Sequence, residues 1–225
     1  MSTMDAIFFD LEFIGNLNES VSHCRIYEVA AVKPSGDEFH SYVDPGEPYI
    51  QPVVGTLPRR ELLIDPLQRV LERFVEWIGP APCYLVSHGN FRSDQRVLRA
   101  QNATIPNHIR FVDSLMITRA MIHSTKFSLS FLYEFLGHGK IDEPHSALHD
   151  ARATKKIMDG LPDWRRYACS YSLHIDALSN IKGIGAKTEL YLHNSGWRRG
   201  DMTTWECLGT LTQLQVEGLF SDESH

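Results

Sequence analysis

The chain has 225 residues, 43% of them hydrophobic and 22% charged, with a formal net charge of −6, ordinary values for a globular protein with one good core and room for a small second unit. No apolar run approaches the roughly 20 residues of a membrane span, so no membrane association is expected. The acidic balance excludes a protein that coats duplex nucleic acid by bulk attraction to phosphate. The first residues carry Asp5 and no basic segment, so they do not read as a secretory signal, and a cytoplasmic location is expected. Cys24, Cys83, Cys169 and Cys207 are too widely spaced for a C-x-x-C zinc site and read as reduced, mostly buried thiols.

In chain order, the first element is the run Phe8-Phe9-Asp10-Leu11-Glu12-Phe13, whose aromatic and aliphatic content favours a strand. On a strand, residues i and i+2 share a face. Asp10 and Glu12 then project together, their Cα atoms about 7 Å apart at about 3.3 Å per residue, while Ile7, Phe9, Leu11 and Phe13 point the other way. Like charges so close repel, and an apolar surround makes an unpaired charge costly. A hard divalent cation resolves the conflict. The competing reading is an edge strand with a solvated polar face; Phe8, on the same side as the acids, counts against it.

Residues 26–32 and 38–43 read as two further strands joined by the tight connection Lys33-Pro-Ser-Gly36, which makes the first three strands antiparallel. A passage with Pro45, Pro48, Pro52 and Pro58 follows, too broken for a strand or helix. The stripe Leu67, Val70, Leu71, Phe74, Ile78 predicts a helix over 66–78, with its proline at the harmless start. Residues 83–87 read as a short buried strand, and 110–112 as another. Helices are expected over 91–102, 114–123, 128–136 and 146–161. Three strands followed by alternating helices and strands make an α/β sheet with helices on both sides.

Two more acids stand out. Asp94 follows a strand end, where ligand sites gather in open α/β sheets, and Asp150 falls in the first turn of a helix, where the dipole favours a negative group. His145 lies just before that helix, free to lean over the same place and exchange protons if it sits on the preceding loop. A rival reading pairs His145 with His149, at i and i+4, around one metal ion; position 146 is Ser rather than the Glu of a zinc-protease helix and looks like a cap. The local charge is uneven. From Arg92 to Lys126, six Lys or Arg face two Asp, and from Leu178 to Gly200, four face one Glu. Either tract alone also fits a solvated helix face.

Asp10-Leu-Glu12, the mid-chain Asp94 and His145-Ser-Ala-Leu-His-Asp150, in that order and spacing, resemble the DEDDh exonucleases, the DnaQ-like branch of the ribonuclease H-like fold. The likeness covers about residues 5–162. It extends to Phe111-Val-Asp113-Ser-Leu115 and Lys126-Phe-Ser-Leu-Ser130. The resemblance implies a mixed α/β sheet, three antiparallel strands and then parallel ones, flanked by helices. It also implies that Asp10, Glu12 and Asp150 hold one divalent ion, that Asp10 bridges to a second, and that Asp94 reaches that second ion. Mg²⁺ or Mn²⁺ suits such an all-oxygen site. His145 would take a proton from the attacking water, the kind of work imidazole does near neutral pH. The expected reaction is two-metal hydrolysis of terminal phosphodiesters at single-stranded 3′ ends of DNA or RNA, releasing nucleoside 5′-monophosphates.

The second motif departs from the family pattern H-N-x-x-F-D, reading His88-Gly-Asn-Phe-Arg-Ser-Asp94. Asn90 keeps its distance from the acid, His88 is one residue further off, and Ser93 replaces the apolar residue before the acid; Asp113 is the fallback ligand. Phe13 stands where the family often has Thr. Leu11, Phe13, Asn90 and Phe91 are candidates to touch nucleic acid, with Phe13 and Phe91 either stacking on a base or belonging to the core. Residues 163–225 read as a separate small helical domain. Its Ile181-Lys-Gly-Ile-Gly185 resembles a helix-hairpin-helix turn, which would bind phosphate through Lys182, Gly183, Gly185 and Lys187. A plain αα-hairpin or a protein-partner surface accounts for it equally. Two further functions stay open: a binding module that recruits a polymerase or nucleic acid with little catalysis, and a phosphodiesterase confined to short oligonucleotides or dinucleotides.

Overall fold

The computed structural model describes residues 4–17, 20–52, 55–90, 93–101, 103–143, 145–165 and 168. Phe91, Lys182, Gly183, Gly185 and Lys187, and with them the helix-hairpin-helix and all of the small C-terminal domain but residues 163–165 and 168, lie outside the described residues.

Strands β1 (Asp5–Ile14), β2 (Arg25–Val32) and β3 (Glu38–Tyr42) form an antiparallel meander. After helix α1 (Leu67–Ile78) come β4 (Cys83–Ser87), α2 (Asp94–Ala100), β5 (Ile109–Asp113), α3 (Ser114–Met121), α4 (Leu129–Phe135) and α5 (Ala147–Asp159). The sheet order is β3-β2-β1-β4-β5, with β1, β4 and β5 parallel. This is the mixed α/β sheet that the sequence predicts. β1 is its central strand, paired on both edges, so both of its faces must be covered.

The alternation along β1 decides what covers each face. Ile7, Phe9 and Leu11 enter a core with Val70, Leu71, Phe74 and Ile78 of α1 and Val97 and Leu98 of α2. On the opposite face α5 lies across β1 and β2. Its buried stripe includes Ala147, Ala151 and Ala153, and side chains that small let the helix backbone approach the sheet closely. Phe8, on this face, meets the Trp164 ring edge-on with centroids 6.2 Å apart, so the core extends beyond α5 to an indole only 3% exposed.

The element ends follow local chemistry. Pro66 precedes α1 in an extended conformation and Gly79 ends it at φ 89°, where a residue without Cβ is unstrained. The Ser128 side chain caps α4 by accepting from the Phe131 N–H. A 3-10 turn, Arg60–Leu62, follows the proline-rich passage. Arg25 pins that passage by donating to the carbonyls of Gly46, Glu47 and Pro48 at 3.0, 3.0 and 2.7 Å. No described helix is long and apolar enough to cross a membrane.

Trp164→Ala should cost about 3–5 kcal/mol, the usual loss for emptying a buried aromatic site. Urea unfolding measures it, and a loss under about 1 kcal/mol would show that the indole is not part of the core.

Candidate active site

The acids come together because three separate elements end at one place. β1 presents Asp10 and Glu12 on one face, as the period of two requires, and Glu12 lies opposite Glu28 of β2. α5 begins above that face and delivers Asp150 in its first turn. Before it, His145 stands outside the helix at φ 67°, a strained setting for a residue with a side chain and one typical of functional positions. Ligand atoms of Glu12, His145 and Asp150 all lie within 4.8 Å of one another.

Asp94 reaches the cluster from the other side of β1. Its Oδ1 accepts from the Leu11 N–H at 3.1 Å, and its Oδ2 from the hydroxyls of Ser87 at 3.0 Å and Ser93 at 2.8 Å. The departure at position 93 therefore has a physical use: Ser93 supplies a hydrogen bond to the acid it precedes. His88 has a different task. Its ring lies between Ser114 Oγ, 3.0 Å away, and the Phe127 carbonyl, 2.7 Å away, tying the segment before α4 to the end of β4. Burial lowers its pKa to about 4, which keeps the imidazole neutral.

The electrostatics of the cluster are one-sided. Burial, and then the charges of Asp94, Asp150, Glu12 and Glu28, hold the Asp10 carboxyl well above the usual carboxylate range. Burial with Asp150, Glu28 and Asp94 raises Glu12 to about 8, against a stabilising contact from the Tyr27 hydroxyl. Asp94 is raised to about 6 by burial, with its hydrogen bonds opposing. Asp150 is raised by burial, with partial relief from His145 and His149. Carboxylates in this state hold protons near neutral pH unless a cation replaces them. Oxygen donors from Asp10, Glu12 and Asp150, desolvated and mutually repelling, thus fit a hard divalent ion, and the imidazole of His145 lies against the same group.

Other sequence candidates have different surroundings. Asp113 Oδ1 accepts from the N–H groups of Gly89 and Leu115, both at 2.9 Å, so it caps α3 and holds the turn after β4. Asn90 is fully buried and donates to the Val112 carbonyl at 3.2 Å. The Leu11 side chain is in the core, and Phe13 packs against the same core, on the sheet face away from the acids. Of these candidates for nucleic-acid contact, Leu11 and Asn90 are thus buried and Phe13 is half-buried. His149 faces a pocket lined by Glu38, Tyr133, Arg152 and Lys156, with Nδ1 3.6 Å from Glu143 Oε2, so it does not join His145 around a common ion.

Sequence reasoning passed over Glu28 and Tyr27. Glu28 is 4% exposed, receives His40 Nε2 at 2.8 Å and the Ser146 hydroxyl at 3.5 Å, and so links β3 to the start of α5. A glutamate inside the otherwise apolar run Ile26-Tyr-Glu-Val-Ala-Ala-Val32 was the available signal. Gly55, at φ 82°, brings the proline-rich passage against the site: a Cβ there would lie 3.1 Å from His145 Cβ and 3.5 Å from the Tyr27 hydroxyl.

The sheet thus gathers acids and an imidazole at the start of a helix, a set of groups suited to metal-assisted hydrolysis. The sequence matches the RNase T exonuclease family over residues 7–158, about two-thirds of its length, and the chain belongs to that family. No curated protein matches it. Among solved structures it is similar to Exonuclease I of E. coli in complex with a dA16 oligonucleotide, with TM-score 0.56, 17% identity, and coverage of 74% of this chain and 43% of that one. The zinc-bound complex of the same enzyme with single-stranded DNA gives TM-score 0.57 and 17% identity, covering 75% and 43%. Cell-death related nuclease 4 gives TM-score 0.52 and 17% identity, covering 73% and 64%. The chain thus spans less than two-thirds of the length of each.

Removing divalent ions should expose the charge conflict as a pH dependence. Carboxyls with raised folded pKa values bind more protons folded than unfolded, so stability falls as pH rises toward those values. Between pH 6.5 and 8, above the range where His88 contributes, the protein in EDTA should melt at progressively lower temperature, and Mn²⁺ should stabilise it more at pH 8 than at 6.5. A flat melting profile in EDTA over that interval would contradict the raised values at Asp10 and Glu12.

Proposed function

We propose that the protein is a divalent-metal-dependent 3′-to-5′ exonuclease that releases nucleoside 5′-monophosphates from the end of an unpaired strand. The observation that carries this reading is the convergence of Glu12, Asp150 and His145 within 4.8 Å, beside an Asp10 whose charge the surrounding acids oppose. Asp10, Glu12 and Asp150 would hold a divalent ion, Mg²⁺ or Mn²⁺, and Asp94 would help to hold a second. When bound, the ions offset the acids and stabilise the attacking and leaving oxygens at phosphorus.

The residues of the chain do the remaining work. His145, exposed and outside the helix, accepts a proton from the attacking water on an imidazole nitrogen. As water adds to phosphorus, the bond to the 3′ oxygen of the shortened strand breaks and a 5′-monophosphate leaves. Leu11 N–H, Ser87 and Ser93 hold Asp94 in one orientation, which removes the cost of arranging it at each turnover.

A strand has a surface to follow. The His88 ring bonds the Phe127 carbonyl, so the segment before α4 starts beside the turn that leads to Asp94. Along it the Arg119 guanidinium lies 5.8 Å from the Phe127 ring and the Lys126 ammonium 6.0 Å from the Phe131 ring. Phe135 stacks on Phe131 with centroids 5.5 Å apart and is 54% exposed. Cations alternating with accessible aromatic faces are what unpaired bases and their phosphates need. Single-stranded DNA in complexes of the structural neighbour Exonuclease I supports this substrate class.

Asp10→Asn or Asp150→Asn should each lower cleavage about 1,000-fold, on the order of 4 kcal/mol of transition-state stabilisation, with the fold retained by circular dichroism. In the wild type a 5′-labelled strand should shorten stepwise, while a 3′-labelled one loses its label at once as a mononucleotide; the reverse pattern would reverse the direction. Full activity in either variant would remove these acids from the mechanism. Phe135→Ala should weaken binding of a 20-nucleotide single strand about tenfold, on the order of 1–2 kcal/mol. Fluorescence anisotropy at fixed salt reads the change, and an unchanged Kd would exclude the platform.

A further inference from the structure

One buried group at the site has no task in the reading above. The ladder between β1 and β2 pairs Glu12 with Glu28 but Phe13 with Ile26, so Tyr27 is an extra residue in a β-bulge. A bulge breaks alternation and re-aims a side chain. Ile26 and Val29 lie in the core on one face, Glu28 shares the Glu12 face, and Tyr27 turns to that same side, packing with Ile14 and Leu63. Its ring is 1% exposed. Its hydroxyl is buried and, among the described residues, forms no hydrogen bond of proper geometry, although it lies near enough to Glu12 to favour the ionised carboxylate. Gly55 closes over it from the proline-rich passage.

A buried hydroxyl that approaches an acceptor without reaching hydrogen-bond geometry destabilises a fold, so its retention beside Glu12 points to a state in which that bond is completed. We propose that Tyr27 is a positioning residue for the metal site: when the acids take up a divalent ion, its hydroxyl donates to the Glu12 carboxylate and holds that side chain in its ligating orientation. This rests on the metal site of the function proposed above. A carboxylate offers about four lone-pair directions, so Glu12 can face an ion and accept from Tyr27 together. Hydrogen bonds to metal ligands commonly change metal affinity 10- to 100-fold when removed. The bulge explains why this donor comes from a neighbouring strand: regular alternation would have sent position 27 to the opposite face.

The test is Tyr27→Phe, which keeps the ring and removes only the hydroxyl. Mn²⁺ binding to the full chain, followed by electron paramagnetic resonance at pH 8, should weaken about tenfold, while the melting temperature in EDTA stays level or rises. Placing 4-aminophenylalanine at position 27 restores a donor and should recover most of the affinity. If the wild type binds no Mn²⁺, the metal-dependent function fails as a whole. If wild type and Tyr27→Phe bind Mn²⁺ equally, the function stands and this inference is overturned. A clear fall in the EDTA melting temperature of Tyr27→Phe would also overturn it, because the hydroxyl would then have its partner in the fold itself.

Discussion

Mutual repulsion among buried and half-buried carboxylates is the constraint on which the rest of this structure depends. Burial, and then the charges of the neighbouring acids, raise the proton affinity of Asp10 and Glu12, and burial with the nearby Glu28 does the same at Asp150. Such an arrangement persists only where the surrounding packing is strong enough to impose it. That packing is the central position of β1, covered on one side by α1 and α2 and on the other by α5 and Trp164. The apolar face of β1 anchors the strand, and its acidic face takes the strain.

Around the acids, polar partners fix orientation rather than supply net attraction. Asp94 is held by one backbone N–H and two hydroxyls. Glu28 ties His40 to Ser146, so the start of α5 is anchored to the far edge of the meander. His145 stands outside the helix on a strained backbone at φ 67°, with its backbone bonded to Asp150 and Gly55 closely approaching its side chain. Fixed ligands beside one accessible imidazole are what a site needs if charge must stay in place while a proton moves.

The irregular second motif shows how local change is absorbed. The longer separation between His88 and Asp94 leaves His88 as a neutral, buried connector between β4 and the segment before α4. Ser93, in place of an apolar residue, adds a hydrogen bond that lowers the proton affinity burial would otherwise raise at Asp94. Asp113, chemically able to substitute, spends its Oδ1 on Gly89 and Leu115.

Much of this was legible from residues close together in the chain. The period of two put Asp10 and Glu12 on one face, and apolar patterning located the five strands of the sheet, with 83–87 matching β4 end to end. Ser146 does take the N-cap position that leaves His145 outside α5, but its hydroxyl goes to Glu28 rather than capping the helix. These features are set by steric and hydrogen-bonding preferences that act over a few residues. What folding alone decided were relations across long separations: the Leu11–Asp94 bond spans 83 positions and the Ser146–Glu28 contact 118. The bulge that turns Tyr27 toward Glu12 is invisible locally, because it arises from the pairing register of two strands. The core packing of Phe13, open in the sequence, likewise depended on which neighbours the sheet brought to it. Proton affinities come last in this order, since a carboxylate's field depends on every charge and void around it in space.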